Sequence, residues 1–250
     1  MVIVNVCLVG LFAKRWAIVC AALGIQAPFF CYFKAIWASQ FAGQLGPTLV
    51  MAEGARYAMV HDYGGRWPTI TSQIIDRLSG QLVLFGIILV LSPFYFSLSG
   101  INFEKWIWLV FVELLLLGLI GKCMYPRLCI KADLNRETLR DILNLRSSPG
   151  HYLISILIQT LLIANLGLAA FALNTEFDSF RFLLLAPLVF GALTFLPISI
   201  SDWGTREMTT LLILSNLGME AEQIVLFSLL FGLINFLSAL PGGFSLIRSG

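Results

Sequence analysis

Charge is scarce in this sequence. Of its 250 residues only 12% are Asp, Glu, Lys or Arg, while 58% are hydrophobic. Soluble domains carry roughly 25% charge on an apolar content of about 45–50%. So little charge cannot coat a globule of this size, which excludes a cytosolic enzyme, a disordered chain and a nucleic-acid-binding module. Histidine is also short: His61 and His151 stand apart, near loop signals, and offer no metal or catalytic centre. The five cysteines (Cys7, Cys20, Cys31, Cys123 and Cys129) are odd in number and lack CxxC spacing. They read as small buried hydrophobes rather than as a disulfide framework or metal site. No GxxxxGKS or GxxxxGKT run is present to cradle ATP phosphates, and no cofactor is implied. The net charge of +2 is too small to draw an anionic partner by bulk attraction. What remains is an integral membrane protein.

Long apolar runs are plentiful. A spanning helix needs about 20 mainly apolar residues. The clearest candidates are 81–98, 106–121, 152–173, 182–200 and 224–247, with a less regular apolar stretch over 16–46. Residues 1–13 are apolar but too few to cross alone, so a short or clipped first helix is expected. Met1 is followed by neither a basic region nor a small-residue cleavage site, so a cleaved signal peptide is not expected.

The polar connection at 122–150 holds Lys122, Arg127, Lys131, Arg136, Arg140 and Arg146, whereas 174–178 carries Glu176 and Asp178 and no base. The positive-inside rule puts the first in the cytoplasm and the second outside. Lys14, Arg15 and Arg66 then fall on the cytoplasmic side. Within the basic loop, 133–145 has aliphatic residues at helical spacing between charges and reads as a short amphipathic surface helix.

Two segments match when aligned. Pro47, Gly54 and Arg56 fall at the same offsets as Pro197, Gly204 and Arg206, with Glu53 and Asp202 nearby in each. Each segment follows an aromatic-rich apolar run and precedes a helical stretch, a glycine turn (Gly64, Gly218) and another apolar helix. The charge assignment puts the two turns on opposite sides, which predicts inverted-topology repeats, the first at about 29–99 and the second at about 182–248, within one membrane domain over 1–250.

Magnitudes decide how these segments sit. A central Asp or Arg costs about 2.5–3.5 kcal/mol on insertion, while each Leu, Ile or Phe returns about 0.3–0.6 kcal/mol. Asp202, Arg206 and Glu207 together cancel most of the gain of a span. A straight lipid-facing helix is therefore excluded, and Pro197 and Gly204 supply the break. The chain is expected to fold back as a re-entrant hairpin whose tip is buried or lines a wet cavity. The same holds for Pro47, Gly54 and Arg56. The resulting fold class is all-α: a polytopic helical membrane protein with two inverted repeats containing broken helices.

In such a cavity Arg56 and Arg206 present planar donor forks suited to phosphate. Glu53, Asp202 and Glu207 balance charge or meet a cationic head group. Asp76 and Arg77 form a further charged pair just before a spanning helix. Glu113, alone in an apolar helix, should face the bundle interior. Trp203 sits at the second hairpin tip, where it could shield a head group; Trp16 and the remaining tryptophans read as interface belts or packing.

The run Leu196-Pro197-Ile-Ser199-Ile-Ser201-Asp202-Trp203-Gly204-Thr-Arg206-Glu207 resembles the proline–serine–glycine–arginine–glutamate signature of the lysylphosphatidylglycerol synthase transmembrane region. Pro241-Gly242-Gly243 is similar to that family's closing helix motif. Phe41 through Pro47, Glu53-Gly54-Ala-Arg56 and Asp76-Arg77-Leu-Ser-Gly80 are similar to its first half, and Lys14-Arg15-Trp16 to the basic-tryptophan end of an early helix. The resemblance implies a polytopic protein of the cell membrane (a bacterial-type inner membrane) that translocates a lipid with a charged head group, aminoacylated or polyprenyl-linked, between leaflets. Two departures stand out: less apolar chain precedes the basic-tryptophan motif than is usual, and Ser201-Asp202-Trp203 replaces glycines. With no synthase domain after residue 250, lysyl transfer is not expected of this chain.

Two other functions compete with a flippase. A polyprenyl-diphosphate phosphatase would use Ser199 or Ser201 as nucleophile, Arg206 as phosphate clamp and Glu53 or Glu207 as base. An accessory subunit would dock a synthase or glycosyltransferase partner through the basic loop at 122–150. A membrane lipid is the substrate expected here, no nucleic acid is, and homo-oligomerisation is left open.

Overall fold

The computed structural model describes residues 1–98, 149–173, 178–195, 203–217 and 219–247. Outside the described residues lie the expected span at 106–121 with Glu113, the basic loop up to residue 148 with its surface helix, and Pro197, Ser199, Ser201, Asp202 and Gly218. The regular structure among the described residues is helical: α1 (Val2–Ala22), α2 (Phe29–Ala42), α3 (Thr48–Gly64), α4 (Arg66–Leu98), α5 (Pro149–Ala172), α6 (Ser179–Phe195), α7 (Thr205–Leu214), a 3-10 turn (Ser215–Leu217) and α8 (Ala221–Ile247). The protein is an all-α polytopic membrane protein.

Four of these helices are long and apolar enough to cross a bilayer: α1, α4, α5 and α8. The other four fall between them in pairs. At about 1.5 Å per residue, α2 with 14 residues and α7 with 10 are shorter than the roughly 30 Å hydrocarbon core. Along the chain the order is long, short, short, long, and then the same again. The outward faces are apolar, as lipid contact requires: Val90 and Phe244 are each 72% exposed.

Three sequence expectations are corrected. Residues 1–13 are not an isolated short piece, because α1 runs unbroken through Lys14 and Arg15 for 21 residues. Within it Arg15 is buried and ion-paired inside the bundle, so it does not end the helix. The apolar run at 16–46 breaks after Ala22, where Gly24 takes a φ of 78° and Pro28 precedes α2. Third, α4 begins at Arg66 rather than at 81 and is 33 residues long. Asp76 and Arg77 therefore lie within a spanning helix instead of before one.

Packing follows the chain order. α1 packs on α2, α2 on α3 and α3 on α4, while α5 packs on α6, α6 on α7 and α7 on α8. Each long pair closes its own group, α1 on α4 and α5 on α8. The cross-contacts are reciprocal: α2 against α8 and α6 against α4, α1 against α8 and α5 against α4, with α1 on α5 at the centre. Exchanging α1–α4 for α5–α8 thus turns every one of these pairs into another that is also in contact. Two apolar clusters result. One joins Trp16, Val19, Tyr32, Ile36, Val60 and Ile75 from the first group. The other joins Phe85, Leu166, Phe182, Ile213 and Phe227, borrowing from α4.

Candidate functional site

Pro47 immediately precedes α3, which it can do because its fixed φ suits a helix start and its missing N–H is not needed there. The helix then carries Glu53 and Arg56 one turn apart, on one face. Gly54, expected to help form the hairpin, does not break the chain: α3 continues through it to Gly64. A lone helical glycine costs only about 1 kcal/mol, which packing against α2 and α4 covers. Gly204 acts differently. It caps the start of α7 at a φ of 83°, a left-handed conformation that a residue with a side chain adopts only under strain.

The most buried ion is Asp76, whose side chain is 2% exposed. Its two oxygens each take one guanidinium. Arg15 donates from Nε to Oδ1 at 2.8 Å, and Arg56 from Nη2 to Oδ2 at 2.9 Å. Arg56 also meets Glu53 at 3.4 Å, and Glu53 in turn meets Arg77 at 3.6 Å. Three helices are tied together by this chain of charges. The guanidinium of Arg56 lies 4.2 Å above the Trp16 ring, and Trp16 donates from Nε1 to Ser72 Oγ at 3.0 Å. A ring face of this kind stabilises a desolvated cation.

The second group has a counterpart. Arg206 on α7 is 6% exposed, and its guanidinium stands 5.3 Å over the ring of Trp203. Trp203 thus covers an arginine of the protein itself. Glu207, expected in the binding site, caps the start of α7. Its carboxylate accepts from the backbone N–H of Gly204 and, at 3.2 Å, from Ser228 Oγ. Helix starts leave N–H groups without partners, and an acid three residues past the cap is well placed to take one.

Arg56 and Arg206, distant in sequence, line one cavity of about 410 Å³. Arg15, Arg77, Glu53 and Asp76 line it too, so four guanidiniums face two carboxylates. The wall carries an excess of positive charge. It also offers acceptors: Gln81 Oε1 and Gln159 Oε1 are buried and lack a hydrogen-bond partner among the described residues, and so does the donor Arg56 Nε. Buried polar groups of this kind are costly unless water or a ligand satisfies them. The remaining wall is apolar, from Phe12, Leu84, Leu162 and Phe231 among others. An anion with attached hydrocarbon fits both kinds of surface.

Of the residues expected in a site, Glu53, Arg56, Asp76, Arg77 and Arg206 come together; Glu207 does not, and Asp202 lies outside the described residues. Sequence reasoning missed Arg15, Trp16 and Gln159. The signal for the first was available: an arginine after 14 mostly apolar residues demands a buried partner if the helix continues past it.

The family model described as Lysylphosphatidylglycerol synthase TM region matches residues 1–242. No curated protein and no solved structure matches the chain.

Proposed function

The chain belongs to the family of the lysylphosphatidylglycerol synthase transmembrane region, and from that premise we propose that it is a lipid flippase or related lipid transporter of the cell membrane, moving a lipid with a phosphate-bearing head group between leaflets. One observation carries the reading: Arg15, Arg56, Arg77 and Arg206 line a single cavity with only two carboxylates among the described residues of its wall. Guanidinium forks suit phosphate geometry, and at side chains as buried as Arg15, Arg56 and Arg206 each charge-assisted bond counts for more than at a surface. The apolar part of the same wall suits acyl or prenyl chains.

The reciprocal packing of α1–α4 and α5–α8 supports two repeats that rock against each other around this cavity. Each repeat then includes the long helix before it, α1 or α5, besides the segments expected from the aligned prolines and arginines. The short pairs α2–α3 and α6–α7 are the re-entrant elements in this reading, since α2 with 14 residues and α7 with 10 are too short to cross the bilayer. Transport is the whole activity proposed; a synthase or glycosyltransferase partner would supply or consume the lipid.

Proteoliposomes with a fluorescent anionic phospholipid test the proposal. Arg206→Ala is expected to slow leaflet exchange at least about tenfold, since a hydrogen bond to a charged group contributes about 1.5–3 kcal/mol. Exchange at the wild-type rate in Arg206→Ala, or none above protein-free vesicles in the wild type, would sink it. A milder change should act through geometry alone. A methyl on Gly232 would meet the Arg206 guanidinium and, at 3.2 Å, the Trp203 ring. Because the guanidinium is the free end of a long side chain, Gly232→Ala is expected to fold normally yet exchange lipid several-fold more slowly.

A further inference from the structure

The arginine-lined cavity has a neighbour. A second cavity of about 260 Å³ adjoins it, and Phe12, Gln44, Thr48, Leu162 and Asn235 line both. Among the described residues, no charged one lines the second. Its polar wall is made of amides and hydroxyls: Asn5, Ser39, Gln40, Gln44, Thr48 and Asn235. In a membrane protein such groups are costly to bury and tend to mark function or tight pairing.

Pairing accounts for some of them. Asn5 donates through Nδ2 to Asn235 Oδ1 and to Ser238 Oγ, both at 3.0 Å, and accepts from Asn165 Nδ2 at 2.8 Å. That network holds α1, α5 and α8 together and fixes the Asn235 side chain with its carbonyl towards α1. The amide N–H groups of Asn235 have no partner among the described residues and belong to a side chain lining both cavities. A donor is therefore placed where the two spaces meet.

The chemistry of the wall selects its occupant. A desolvated ammonium group is held best by a carboxylate or an aromatic cage. The carboxylates at hand, Glu53 and Asp76, line the other cavity and already hold arginines. Amides and hydroxyls both donate and accept, which matches an array of neutral hydroxyls. At about 30 Å³ per liquid water, the space holds a group the size of glycerol or a monosaccharide.

We propose that this second cavity is a sub-site for the uncharged, hydroxyl-bearing part of the lipid head group, a glycerol or a sugar, while the phosphate sits among the arginines. The inference rests on the transport reading and narrows it from an aminoacylated to a polyol or glycosyl head group.

The test is a panel of tail-labelled lipids in separate proteoliposome preparations: phosphatidic acid, phosphatidylglycerol, phosphatidylinositol and lysyl-phosphatidylglycerol. The wild type should exchange phosphatidylglycerol or phosphatidylinositol faster than the other two by about fivefold or more, the order of one net hydrogen bond. Which of the two leads tells glycerol from a ring of hydroxyls. Gln40→Leu, which changes only the second cavity's wall, should bring that ratio close to one. Equal wild-type rates across the panel, a preference for lysyl-phosphatidylglycerol, or a ratio that survives Gln40→Leu overturns the sub-site and leaves the transport reading standing. No exchange of any lipid overturns both.

Discussion

Asp76→Asn is expected to destabilise the protein by about 3–5 kcal/mol, the range found when one partner of a buried ion pair is removed. The reason lies in what stays behind. Asp76 is the only carboxylate within ion-pair distance of Arg15 among the described residues, and it shares itself with Arg56. Both arginines are nearly as buried as the aspartate, at 5% and 8% side-chain exposure. With the charge removed, two guanidiniums face each other across a neutral amide, at a depth where neither reaches bulk water. The three helices α1, α3 and α4 lose the link that joins them. Asparagine keeps the volume, so the effect reports charge rather than a cavity. For a chain of this size about 1 kcal/mol corresponds to roughly 2–4 °C, so the apparent Tm in detergent should fall by on the order of 10 °C. A fall of about 2 °C or less would mean that the arginines find water or Glu53 instead, and that the triad does not hold the bundle together.

Gly242→Val should cost towards the upper end of the roughly 1–3 kcal/mol typical of overpacking. The α2–α8 contact is made by backbone. A Cβ at residue 242 would fall inside the carbonyl of Trp37 and within 3.1 Å of the Ala38 nitrogen. Neither can move aside, because both belong to a helix. Trp37 is further pinned by its Nε1–H, which donates to Ser238 O at 2.9 Å. A Cβ at the neighbouring Gly243 would come within 3.0 Å of the Phe41 ring, so sliding along the groove gives no relief. Small residues let helices approach closely in membranes, where dispersion between backbones replaces the hydrophobic effect as the driving force. Gly86→Ala is the comparison. A methyl there meets nothing within 4 Å and should be neutral or stabilising by up to about 1 kcal/mol. Equal thermal stability of the two variants would show that α2 and α8 do not rely on this contact. Gly232→Ala differs from both, since the atom its methyl meets is mobile and the change should be read in transport.

Much of the site was legible because burying charge in hydrocarbon is expensive. Arg56 and Arg206 interrupt apolar runs beside a proline and a glycine, and that cost alone demanded a shared polar enclosure. The cavity supplies it. The cap made by Glu207 was hidden for the opposite reason. A carboxylate beside a membrane arginine looks like part of the same enclosure, but one helix start, three residues away, had an N–H to satisfy. The role of Gly54 was likewise local and turned on whether neighbouring helices support a straight α3.

Arg15 shows the limit most clearly. Sequence reading stopped the first apolar run before it, because a charge taken alone looks like the end of a span. Its partner lies 61 residues away, and only packing of α1 on α4 brings the two within 2.8 Å.

Composition and periodicity, unaided, determined that this chain is helical, lives in a bilayer and must shelter charge inside it, since those conclusions follow from transfer energies summed along the chain. Tertiary structure decided which charges neutralise each other, which one caps a helix, and that the arginines of the two groups of helices face one space beside a neutral one. Those outcomes depend on distances between residues far apart in sequence, and Coulomb and hydrogen-bond energies depend on distance in space.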